Sequence, residues 1–143
     1  MTGPVVVAER FSGTGPQADL ESGVTITLGA GAWHALAARL PDGHPARGSG
    51  DGVDFGRSAL LFVRFPADSN TRLHCDSASA SGRDLTLRLS RAPATPDLLA
   101  VVPAQSWLLL EVQRAAVEAR PQVSVWVGGA RFDAKVEYLG ASG

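Results

Sequence analysis

His74 and Cys75 stand side by side in the sequence, with Asp76 next in line. A thiol beside an imidazole is the pairing that generates a thiolate nucleophile, and the same two groups are common metal ligands. The surrounding segment, 71–77, reads as a strand, in which successive side chains point to opposite faces. His74 and Cys75 then diverge and cannot share a metal, and Cys75 becomes a small core residue. His74 and Asp76 share the other face as exposed strand polarity. Because Cys75 is the only cysteine, no disulfide can form within the chain, as a reducing compartment permits.

Oxygen ligands crowd a second stretch, where Asp42, His44, Asp51 and Asp54 fall in one loop rich in glycine and proline. Hard cations need several oxygens converging on one point, but the spacing does not match the calcium loop of an EF-hand. A solubilising loop is expected, with Asp54 set apart. It precedes an apolar strand, where an aspartate fixes a turn by accepting bonds from nearby backbone amides.

Arg64 and Glu111 each interrupt an otherwise apolar run. A charge so placed costs several kcal/mol unless it finds a partner. By alternation Arg64 shares a face with Leu60 and Phe62, and Glu111 shares one with Trp107 and Leu109. If their strands are neighbours, an ion pair or a polar pocket follows. Trp33, Trp107 and Trp126 could line an apolar cavity, although aromatic residues in a chain of 143 residues serve the core first. The candidate ligand-binding residues are therefore Arg64, Glu111, Trp107, His74 and Trp33. Nothing matches a nucleophile elbow, a phosphate loop, a dinucleotide fingerprint or a zinc-ligand spacing, so no catalytic group, metal or cofactor is assigned.

The elements that must hold these residues are mostly strands. Residues 83–90 alternate strictly, sending Leu85, Leu87 and Leu89 to one face and Thr86, Arg88 and Ser90 to the other. Residues 123–127 and 131–138 alternate on either side of Gly128-Gly129, which predicts a hairpin because paired glycines supply the positive φ of a tight turn. Its inward set is Val123, Val125, Val127, Phe132, Ala134, Val136 and Tyr138. Residues 59–65 and 107–112 are continuous apolar runs, short enough for strands and requiring cover on both faces. Further strands are expected at 5–11, 24–28 and 71–77. One short helix, 32–40, carries Trp33, Leu36, Ala37 and Leu40 at helical spacing before Pro41 stops it. Loops fall at 42–56 and 93–103. No repeat or linker divides the chain, so it should form one mainly antiparallel β-sandwich or flattened barrel with one short α-helix.

Composition narrows the partners. Thirteen basic side chains oppose fourteen acidic ones, for a net charge of -1, and no basic run is present, which argues against nucleic acid. No segment approaches the ~20 apolar residues of a membrane span. The short apolar stretch at 5–8 is no secretory signal core, so a cytoplasmic location is expected. Lys135 is the sole lysine and Ile26 the sole isoleucine, a bias that points to a GC-rich bacterial genome. A domain of this length buries roughly 68% of its unfolded surface, enough to hold a core without a metal or disulfide.

The order of several pieces resembles the C-terminal domain family of the bacterial protease-complex subunit PrcB. These are Ser12-Gly13, then Ala32-Trp33-His34-Ala35-Leu36, then Val53-Asp54-Phe55 leading into 60–65. Gly82-Arg83-Asp84-Leu85-Thr86-Leu87 follows, and Val101-Val102-Pro103-Ala104 precedes 107–112. The resemblance spans roughly residues 5 to 114. It departs after the central strand, where the family has a Pro-Thr-Gly-Gly-Tyr-type motif and this chain has Pro66-Ala67-Asp68-Ser69-Asn70-Thr71-Arg72-Leu73. What the resemblance implies is an accessory or binding module without established catalytic residues.

Two functions are thus expected to compete. The first is a non-catalytic accessory or binding domain that engages a protein or a small apolar ligand through a sheet face or the two long loops. The second is a small β-barrel cyclase or isomerase of bacterial secondary metabolism, with Arg64, Glu111 or His74 orienting a substrate in a shaped apolar cavity. An enclosed pocket of about 300 Å³ or more, lined by tryptophan and holding a charge, would separate the second from the first. The oligomeric state is not written in the sequence.

Overall fold

In the computed structural model, which describes residues 2–16, 23–40, 48, 50, 52–67, 71–93, 104–132 and 135–140, alternating segments become strands and the continuous apolar runs become central ones. The strands are β1 (Thr2–Pro4), β2 (Val7–Pro16), β3 (Gly23–Thr27), β4 (Ser58–Ala67), β5 (Thr71–Ser81), β6 (Asp84–Pro93), β7 (Ala104–Gln113), β8 (Gln122–Val127), β9 (Ala130–Phe132) and β10 (Val136–Leu139). Helix α1 (Ala30–Ala38) follows β3, and one further turn of helix, α2 (Arg114–Val117), follows β7.

Two five-stranded sheets pack face to face, a first in the order β1-β5-β6-β8-β9 and a second in the order β10-β3-β4-β7-β2. Between them lie Leu85, Leu87, Leu89 and Val125 from the first sheet, with Val24, Ile26, Leu61, Val63, Leu108 and Leu110 from the second. The second sheet is also covered on its outer face. There Trp33, Leu36 and Ala37 of α1, with Leu40 just beyond it, close over Leu60, Phe62, Trp107 and Leu109. That third layer is why β4 and β7 read as unbroken apolar runs: each alternate set of side chains has its own core to enter. Helix α2 plugs one end of the sandwich with Val117, which is completely buried in the inner core.

The sandwich is mainly β as the alternation predicts, and most neighbouring strands are antiparallel. Two pairs are parallel, β6 with β8 and β10 with β3. The first follows because the chain leaves the first sheet for β7, turns through α2 and returns beside β6. The second corrects the predicted hairpin. Gly128 and Gly129, with φ of 60° and 89°, do turn the chain from β8 into β9. Yet β9 ends at Phe132, and β10 lies in the other sheet beside β3. Val136 and Tyr138 still face the core as expected, since both sheets point their inner faces at one interior. The switch of sheets therefore leaves the inward parity of the sequence unchanged. Ala134 lies outside the described residues.

The chain also changes sheets between β1 and β2, and the resulting edge is stitched by side chains. Ser12 Oγ donates to the Leu73 carbonyl at 2.6 Å, and the Cys75 amide donates to Glu9 Oε1 at 2.7 Å. These bonds join β2 to β5 across the gap, so the sandwich is flattened and partly closed on this side.

Candidate functional site

The predicted meeting of Arg64 and Glu111 does not occur, although both premises hold. Strands β4 and β7 are neighbours, and both side chains lie on the outer face of the second sheet. The register places Leu60 opposite Glu111 and Trp107 opposite Arg64. The two charges are thus four positions apart, about 13 Å of strand. Glu111 accepts from Arg10 at 2.8 Å and from Ser58 Oγ at 2.9 Å. Arg10 reaches it because β2 bulges between Glu9 and Phe11, an irregularity that alternation could not announce. Arg64 donates to Thr25 Oγ1 at 2.9 Å and to the Phe62 carbonyl, with its guanidinium 5.4 Å from the Phe62 ring centre. Burial first, then the nearby Arg39, push the Arg64 pKa down to about 10, while Glu137 works in the opposite direction.

Cys75 packs against the inner core and His74 turns toward Glu9, 3.4 Å from its carboxylate, so the two diverge as the strand reading requires. Burial, reinforced by Glu9 and Asp76, pushes the Cys75 thiol up to about 11, against the bond it donates to the Ser77 carbonyl. That thiol is a poor nucleophile near neutral pH. Asp76 falls at a bulge between Cys75 and Ser77 and accepts from Ser90 Oγ at 2.9 Å.

Asp54 behaves as a turn residue: its carboxylate accepts from the Gly56 amide at 3.0 Å and its carbonyl from the Ser58 amide at 2.8 Å. Asp42, His44 and Asp51 lie outside the described residues, among which no metal-binding cluster occurs. Nor is any helix among them long and apolar enough to cross a membrane.

The three tryptophans do not share a cavity. Trp33 and Trp107 are buried side chains of the outer core, Trp33 meeting Phe62 edge to face with ring centres 6.3 Å apart. Trp126 stands on the outer face of the opposite sheet. It belongs to a row that runs across four strands in register, Ser77, Arg88, Trp126 and Arg131. Arg88 holds its guanidinium 5.7 Å from the Trp126 ring centre, and both arginines are exposed while Trp126 is half-buried. A parallel row of small hydroxyls, Ser79, Thr86 and Ser124, lies beside it. The helices lie elsewhere, α1 against β3 and α2 against β4 and β7.

This face carries the best candidate site. An indole beneath a guanidinium offers a rigid apolar surface with charge at its rim, the chemistry common at the centre of protein contacts. The sequence had placed Thr86, Arg88 and Ser90 outward, but it could not bring Arg88 beside Trp126. Thirty-eight residues separate them in the chain, and a parallel pairing across that gap leaves no local signal.

The architecture is a β-sandwich with a helical layer on one side and an open face on the other. No family model, curated protein or solved structure matches the chain.

Proposed function

We propose that this domain is a non-catalytic binding module that docks a short acidic polypeptide segment on the open face of its first sheet. The observation that carries the reading is the register row Arg88, Trp126, Arg131, with one arginine on each side of a half-buried indole. Two guanidiniums about two strand spacings apart, roughly 10 Å, fall between the ~7 Å and ~13 Å that separate carboxylates two and four residues apart on one face of an extended segment. Long side chains close that gap when the segment lies across the strands. Asp84 stands at the start of β6 and Asp76 at the β5 bulge next to Ser77, so the positive band is narrow. Such a band favours a short acidic segment over a long polyanion, whose phosphates would run onto those carboxylates. An accessory domain of a larger assembly, the role implied by the resemblance to the PrcB C-terminal family, is a setting in which such a face works.

The cyclase or isomerase reading has less support. It needs Arg64, Glu111 or His74 to converge on an apolar cavity, whereas the first two are about 13 Å apart along the strands and His74 sits at the β2–β5 seam. Trp33 and Trp107, which would shape such a cavity or hold a small apolar ligand, are packed among Leu36, Leu60, Phe62 and Leu109.

The test is a titration of the labelled domain with a short peptide alternating glutamate and serine, followed by backbone amide shifts. The reading expects shifts concentrated on β6, β8 and β9, and binding weakened about tenfold or more by Trp126→Ala and by Arg88→Gln. Shifts elsewhere, unchanged binding by the folded variants, or tighter binding of a single-stranded oligonucleotide to the same face would overturn it.

A further inference from the structure

At the end of the sandwich where α2 sits, the β5–β6 turn and the chain entering β8 enclose an open cleft of about 670 Å³. Methyl groups of Ala80, Ala116 and Ala119 line it, together with Arg83, Arg120 and Gln122. No carboxylate is among its lining residues in the described part of the chain. Alanines alone would merely leave room; here two arginines from separate segments stand among the lining residues and bring positive charge to it.

Both walls are fixed. The Gln122 amide donates to the Arg83 carbonyl at 2.8 Å, tying the start of β8 to the β5–β6 turn. Arg120 takes a left-handed backbone, φ 53°, and its amide donates to the Val117 carbonyl at 3.0 Å. Its guanidinium lies 5.8 Å from the ring centre of Tyr138, whose hydroxyl donates to the Pro121 carbonyl. Tyr138 is itself held in β10 opposite Ile26. The Arg120 side of the cleft is therefore anchored to the second sheet, which lowers the cost of ordering it around a ligand.

We infer that this cleft binds a small organic carboxylate with a compact apolar body, its carboxylate held by Arg83 and Arg120 and its body against the alanine methyls. The volume is within the ordinary range for small-molecule sites, and guanidinium forks suit a planar carboxylate. The site lies apart from the Arg88–Trp126–Arg131 row and stands or falls independently of it.

Benzoate is the probe, with benzyl alcohol as its uncharged counterpart, and amide shifts of the full chain are the readout. Benzoate should saturate and shift Gly82, Arg83, Arg120 and Gln122, while benzyl alcohol binds at least about tenfold more weakly. Arg83→Gln should weaken benzoate by a similar factor. So should Arg120→Gly, which removes the guanidinium while keeping a residue at ease with positive φ. Ala119→Trp leaves both arginines in place and should block the cleft by filling it. Equal affinity for benzyl alcohol, shifts centred on another surface, or unchanged benzoate binding in folded Ala119→Trp or in both arginine variants would overturn the inference.

Discussion

The carboxylate of Glu111 is held by Arg10, 2.8 Å away on the neighbouring strand β2, rather than by Arg64 on β4. Arg10 occupies a bulge, so one inserted residue decides which cation serves this acid. Both partners are about a quarter exposed, and a pair so placed contributes modestly. A double-mutant cycle on Arg10→Met and Glu111→Gln should give a favourable coupling of about 0.5 kcal/mol by denaturant unfolding. The corresponding cycle on Arg64→Met and Glu111→Gln should be additive to within about 0.5 kcal/mol. Coupling in the second cycle and none in the first would mean that β4 and β7 are paired in a different register.

How far the sequence reached can be judged from these same residues. Strict alternation in 83–90 gave the inward leucines of β6, and the unbroken apolar runs gave β4 and β7 with both faces covered. These depend only on local period and on the demand that apolar side chains be buried. The partner of Glu111 depends on a bulge and on register, and the neighbour of Arg88 on a parallel pairing between distant strands. Neither leaves a trace in local pattern. The transfer of β10 to the second sheet was hidden for a further reason, because inward parity is common to both sheets.

Cys75 gives a pH-dependent prediction. Its thiol ordinarily titrates near 9.0, and burial, aided by Glu9 and Asp76, pushes it up to about 11 in the folded chain. Between those values the unfolded chain has lost the proton that the folded chain retains. Folding stability from this group is therefore intact below about pH 9 and falls as pH rises toward 11. The unfolding free energy of the parent chain should fall more steeply over that window than that of Cys75→Ala. Iodoacetamide should alkylate the native thiol slowly at pH 8, and rapid alkylation there would contradict a protonated, half-buried thiol.

The β8–β9 turn makes a conformational prediction. A Cβ at Gly128 or Gly129 would meet no neighbouring atom, so space does not require glycine at either position. The backbone does, with φ of 60° and 89°. Replacing either residue by alanine should cost about 1 kcal/mol, and Gly128→Asn should cost less because asparagine tolerates the left-handed region. If Gly128→Ala and Gly128→Asn were equally harmless, the chain would have to turn here with another geometry.

Gly50 tests how closely the outer core is fitted, and here the limit is space. A Cβ at this position would collide with Nε1 and Cε2 of the Trp33 indole and crowd a methyl of Leu60. Trp33 cannot yield easily, being buried edge-on against Phe62 with Leu36 beside it. Its indole nitrogen has no hydrogen-bond partner among the described residues, so what resists a shift of the ring is packing and not a hydrogen bond. Gly50→Ala should therefore destabilise the domain by about 1–3 kcal/mol, the usual cost of overpacking. Trp33→Phe removes part of the obstructing ring, so Gly50→Ala should cost less in that background than in the parent chain. Equal losses in the two backgrounds, measured by denaturant unfolding, would show that the alanine methyl is accommodated without touching the indole.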